Sequence, residues 1–169
     1  MNKPADKIIL GVDPGTRATG YAVLLGTKVL DLGCIRPPKD HLLSERYAII
    51  HESILYLIDK FKPTEVAIET PFVHKNMQSA LKLGGAFASI VLAAKRHSLP
   101  TYGYPPREVK QAVCGRGGAA KEAVAMAATR HVGLKMGNVP LDALDALAIA
   151  LTHLRHPAPR TGAQHSKLM

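Results

Sequence analysis

Cysteine is scarce in this chain, and that scarcity excludes several chemistries. Cys34 and Cys114 stand far apart among 169 residues, in no spacing that makes a zinc site, a redox pair or a disulfide framework. They read as small buried hydrophobes in a reducing cytoplasm, the expected location. No His/Cys cluster has zinc spacing and no serine sits on a nucleophile elbow. Long apolar runs are missing as well. No stretch approaches the roughly 18 uninterrupted apolar residues that a membrane span needs, and the opening MNKPADKIILGVD has too short an apolar core for a signal peptide. With neither repeat nor linker, one domain over residues 1–154 is expected, followed by a polar, proline-containing and disordered basic tail over 155–169. Acidic residues are few: 13 Asp plus Glu face 22 Lys plus Arg, a net charge of +9. Such a balance attracts polyanions, either nucleic acid or an anionic membrane surface.

What is present is patterned as an α/β domain. Lys7 to Val12 is an apolar run of central-strand type. Gly20 to Leu25 and Lys28 to Ile35 are β-like runs around Gly26-Thr27, a hairpin signal, so the sheet is expected to open as a three-stranded antiparallel meander. From Leu42 to Phe61 the apolar positions follow helical spacing up to Pro63. Glu65 to Glu69 is then a strand reached by a helical crossover, hence parallel to its neighbour. A helix from about Asn76 to His97, a short strand at Thr101 to Tyr104, and helices after Pro105-Pro106, Ala120 and Pro140 complete the pattern. In the second helix Gly84-Gly85-Ala86 lowers helix propensity and points to close approach by another helix, internal or from a partner chain.

Four acids lie at the ends of buried elements. Asp13 and Glu69 close strands, where open α/β sheets place their ligands. Asp142 and Asp145 share one face of the apolar helix after Pro140, with no basic residue in reach before His153. Two readings fit the helix pair: acids favoured by the helix dipole, or a divalent cation between them. Two likewise fit Asp13, a ligand or a residue that starts its turn. Oxygen-only donors suit Mg²⁺ or Mn²⁺ before zinc. Four of them can hold two ions, about 3.5–4 Å apart, around a scissile phosphate. Phe72 beside His74 and Lys75 suits a core plug or a base-stacking aromatic with phosphate contacts nearby. The glycine-rich loop Cys114 to Lys121, flanked by Lys110 and Arg116, reads as a plain turn or a phosphate cradle.

Together these stretches resemble a known family. Ile8 to Ala22 (ILGVDPGTRATGYA for the stretch that begins at Ile9), Ala67-Ile-Glu-Thr-Pro-Phe72, Ser79 to Gly84, Val109 to Lys121 and Asp142 to Ala150 are similar, in order and spacing, to the RuvC family of Holliday-junction resolvases. The resemblance implies a ribonuclease-H-like fold with a five-stranded mixed sheet and helices on both faces. It also implies a homodimer that makes paired, symmetric nicks in a four-way DNA junction, leaving 5′-phosphate and 3′-hydroxyl ends in recombination and repair. By resemblance Asp13, Glu69, Asp142 and Asp145 are catalytic metal ligands for two Mg²⁺ per subunit, with Mn²⁺ able to substitute. Phe72 stacks at the junction centre, Lys110 and Lys121 bind phosphate and support catalysis, and a branch-migration helicase complex of RuvA and RuvB type is the expected partner; no membrane is. His74, Lys75 and Arg116 join as DNA contacts. The chain departs from the family at Gly85-Ala86-Phe87-Ala88, where the usual Gln-Ala-Arg-Gly would put a polar and a cationic side chain. Three other readings compete. Asp13-Pro-Gly-Thr also resembles the phosphate loop of actin-like ATPases and sugar kinases, but those need two such domains. A ribonuclease-H-like nuclease for other substrates would share the acids. A pure DNA binder would gain nothing from acids that face phosphates.

Overall fold

The computed structural model describes residues 7–71 and 76–156. Phe72, His74 and Lys75, and the tail beyond His156, lie outside the described residues. In chain order the elements are β1 (Ile8–Asp13), β2 (Thr19–Leu25), β3 (Lys28–Ile35), α1 (Leu43–Phe61), β4 (Glu65–Glu69), α2 (Met77–Arg96), β5 (Thr101–Tyr104), α3 (Pro106–Cys114), α4 (Lys121–Val132) and α5 (Leu141–Arg155). The five strands form one sheet in the order β3-β2-β1-β4-β5. The β1–β2 and β2–β3 pairs are antiparallel, and β4 runs parallel to both β1 and β5. This is the expected mixed sheet with its meander.

Alternation along the strands divides the core between two faces. Leu10, Val12, Val66 and Ile68 point toward α1 and α2, with Ile50, Ile54, Ile90 and Ala93 opposite them. Ile9, Ala22, Leu24 and Ala67 face the other way, onto α3, α4 and above all α5. The ends of α1 follow from local chemistry. The Glu45 carboxylate accepts the Leu42 N–H at 2.7 Å, and Lys62 turns left-handed at φ 48° to stop the helix before Pro63. In α2 the glycine reading resolves internally: a Cβ on Gly85 would overlap the Tyr47 ring of α1, so the departure at 85–88 is partly a packing feature.

Two expectations need correction. Neither cysteine is fully buried; both are half-buried. The tail does not begin at 155, because α5 runs through Arg155, whose guanidinium donates to the Ala112 carbonyl (2.5 Å) and bonds His131 (2.8 Å). By length and composition α2 could cross a membrane, but Lys82 interrupts its apolar run, so the expectation of no 18-residue uninterrupted stretch stands. Its Ala86, Ser89, Ile90, Ala93 and Ala94 are instead buried in this fold.

Candidate metal centre and nucleic-acid interface

Two strand glycines bring the site together. On β1, a Cβ at Gly11 would stand 2.7 Å from the Ala150 methyl; on β2, a Cβ at Gly20 would overlap the Asp142 carbonyl oxygen. Only bare backbone lets α5 lie this close across the sheet. The first turn of α5 therefore crosses the end of β2, beside its register partner Asp13. Parallel pairing of β1 with β4 brings Glu69 to the same edge.

Ligand oxygens of Asp13, Asp142 and Asp145 lie within 4.8 Å of one another. Glu69 stands outside that set but lines the same cleft of about 230 Å³, together with Asp13, Asp145, Lys110 and Lys121. Crowding is visible in the titration of the acids. Burial, then repulsion from Glu69 and Asp145, pushes the Asp13 carboxyl up to about 8. Burial and Asp145 push Glu69 up to about 7, opposed by Lys121 and Lys110. Burial also raises Asp145, against the hydrogen bond from Lys121. Carboxyls that resist losing their protons in one another's company form a donor set suited to a hard divalent cation, which lets all of them ionise.

The structure supplies cations that sequence neighbours did not reveal. The Lys121 ammonium donates to Asp145 Oδ2 at 2.7 Å, a bond that raises its own pKa. The Arg36 guanidinium comes within 3.9 Å of Asp142 Oδ2, and the Cys34 thiol approaches the same oxygen at 3.9 Å. The expectation that Asp142 and Asp145 have no basic residue in reach before His153 is therefore corrected. His153 itself faces away from the acids. Its Nδ1 meets Tyr104 Oη at 2.6 Å and its Nε2 meets Glu65 Oε2 at 2.8 Å, deep in the core. Burial pushes His153 down against the pull of Glu65. Burial likewise pushes Glu65 up, but hydrogen bonds from Lys7 and His153 hold it below the usual carboxylate range. Lys110 lines the cleft, whereas Arg116 is exposed in the α3–α4 loop and is not among the cleft's lining residues. Sequence reasoning missed Gly11, Gly20 and Arg36; a glycine inside an apolar strand was the available signal for the first two.

The family model for crossover junction endodeoxyribonuclease RuvC matches residues 9–153. The chain belongs to the RuvC family. It is 46% identical over 154 residues to crossover junction endodeoxyribonuclease RuvC of Protochlamydia amoebophila, covering 89% of this chain and 92% of that one. It is 43% identical to the Methylococcus capsulatus protein of the same name, covering 88% and 90%. Among solved structures it resembles Thermus thermophilus RuvC in complex with a Holliday junction substrate, with a TM-score of 0.80 and 36% identity over 87% of this chain and 92% of that one. The yeast mitochondrial Holliday junction resolvase Ydc2 shares the fold, with a TM-score of 0.62 at 15% identity over 89% of this chain and 80% of that one. The ribonuclease-H-like architecture is thereby that of RuvC, and membership makes the chain a nuclease that acts on DNA. An acidic group able to hold a metal ion accords with that chemistry.

Proposed function

We propose that this chain is a metal-dependent resolvase that nicks four-way DNA junctions at the Asp13/Asp142/Asp145 cluster. The convergence of three carboxylates within 4.8 Å carries the reading. Asp13, Glu69, Asp142 and Asp145 would hold two divalent ions, Mg²⁺ foremost and Mn²⁺ as a substitute. When bound, such ions lower the pKa of the attacking water and offset charge on the leaving 3′ oxygen. The protein's own groups do the rest. Lys121 and Lys110 flank the acids and draw the phosphodiester against their repulsion. The buried floor of Val109, Val124 and Ala148 limits water beside the scissile bond. Phe72, by family resemblance, stacks on an unpaired base at the junction centre, with His74, Lys75 and Arg116 as further DNA contacts. Paired nicks require two sites, and α2 supports a homodimer: Met77, Leu81 and Leu92 stand exposed along it, 74%, 71% and 63% accessible. A cytoplasmic location and a branch-migration helicase complex of RuvA and RuvB type complete the reading.

The deciding experiment offers a synthetic four-way junction, a linear duplex and an RNA–DNA hybrid to the protein, each with Mg²⁺ and with chelator. Symmetric paired nicks in the junction alone, abolished by chelator, are expected. Equal cutting of the linear duplex, or of the hybrid, would replace the resolvase reading with that of a less selective nuclease.

A further inference from the structure

A second group of cations lies on the β3 side of the acids, away from Lys110 and Lys121. Two clefts open there and share Arg17 and Arg46. One, of about 560 Å³, is lined among others by His41, Ser79 and Lys82; its neighbour, of about 580 Å³, by Arg36 and Lys39. Among the described residues, Arg36 alone of these cations reaches a carboxylate, that of Asp142. Among the described residues Arg17, Lys39, Arg46 and Lys82 form no ion pair.

The backbone that carries them is fastened. Arg46 donates through Nε to the His41 carbonyl at 3.1 Å and through Nη2 to that of Lys39, which ties the β3–α1 loop to the first turns of α1. Tyr47 Oη donates to the Lys82 carbonyl at 2.9 Å, which fixes α2 alongside. Register places the group relative to the acids: Asp13, Gly20 and Cys34 pair in a row across β1, β2 and β3. Arg17 stands in the turn that joins the first two strands, and Arg36 lies just past the end of the third. The acids are thus flanked by two banks of positive charge. Lys110 and Lys121 stand on the α3–α4 side, and the five cations stand on the meander side. Like charges gathered without counter-charges repel one another, and a sugar–phosphate backbone removes that cost.

We infer that the meander-side bank, with Arg17, Arg36, Lys39 and Lys82 as positioning residues, holds the backbone of a second DNA segment. That segment is the arm adjoining the cleaved strand, and holding it favours branched over linear DNA. The inference rests on the nuclease reading above. A linear duplex seated against Lys110 and Lys121 leaves the far bank unused; a branched substrate presents phosphates to both.

The test compares the intact protein with an Arg17→Gln/Lys39→Gln double variant, which removes two exposed, unpaired charges and no side-chain contact of the core. Anisotropy of a labelled four-way junction and of a linear duplex is read in chelator between about 50 and 200 mM salt. For the junction, the slope of log K against log salt is expected to become shallower by about 2, at roughly 0.9 per phosphate contact, with affinity at the low end of the salt range falling about ten-fold or more. Linear duplex affinity should move less than about two-fold, and a Lys28→Gln/Lys95→Gln control, which removes charge elsewhere, should change neither substrate. An unchanged junction slope, an equal loss on both substrates, or an equal effect of the control overturns the inference. The two readings fail separately. Junction nicking absent from the unmodified protein sinks the nuclease reading, whereas nicking present with an unaltered salt slope in the variant sinks only the second-arm surface.

Discussion

Asp13 carries a proton to about 8 where an ordinary aspartate gives it up near 3.8, and Glu69 does so to about 7 instead of 4.5. An acid raised in the folded state binds more protons folded than unfolded, so its contribution to stability is full below the unfolded value and is lost as pH rises through the folded one. In chelator the unmodified protein should therefore lose Tm between pH 6 and about 8.5. His153 works the other way, since its depressed folded pKa adds stability as pH rises through 6.5; the comparison must therefore be with a variant. Asp13→Asn is expected to flatten the decline and to exceed the parent in Tm at the alkaline end, while losing the stabilisation that Mg²⁺ gives the parent. An unchanged decline in the variant would mean that Asp13 is ionised in the folded protein. Because ligands must shed protons to bind, the Mg²⁺-induced rise in Tm should itself grow with pH over that window. Asp142→Asn should reduce junction nicking by roughly 10²-fold or more, since even the loss of a partner behind a ligand costs up to about that much, and leave junction binding largely intact; undiminished nicking would remove Asp142 from the site. Phe72→Ala should impair cleavage more than binding, with a stacked base worth about 1–3 kcal/mol.

The elements were legible in the chain to within a residue or two, because alternation and helical spacing report burial, and burial is what the sheet and its two helix layers produce. The strand-end positions of Asp13 and Glu69 followed from the same periodicity. What the chain did not disclose was pairing across topology. Lys121 meets Asp145 and His153 meets Glu65 only because α4 and β4 both pack beside α5, and no local pattern encodes that. Gly20→Ala should force α5 off the end of β2, with nicking lost even where circular dichroism shows a folded protein; full activity in that variant would mean the helix can shift without moving Asp142. His153→Leu removes the buried bonds that its ring makes to Tyr104 Oη and Glu65 Oε2 and should cost roughly 2–4 kcal/mol in urea unfolding.

Arg17, Arg36, Lys39, Arg46, Lys82, Lys110 and Lys121 line the clefts beside the acids, so DNA binding should weaken steeply with salt, and a flat response would contradict phosphate contact. Exposed Met77, Leu81 and Leu92 lie along α2, and on the proposed dimer Leu81→Glu should shift sedimentation to monomer; a dimer that persists in the variant would assign the contact to another face. One consequence follows from how α5 is buried. Ten of the eleven residues from Ala143 to His153, all but the half-buried Asp145, are sealed in the core, with Asp142 at one end and the His153 bonds at the other. A helix so enclosed has no partial way out, and its amides should exchange hydrogen only when the entire domain opens. Nuclease activity lost on heating should then vanish together with the fold and not before it, leaving no window of temperature in which an intact domain carries a melted active site.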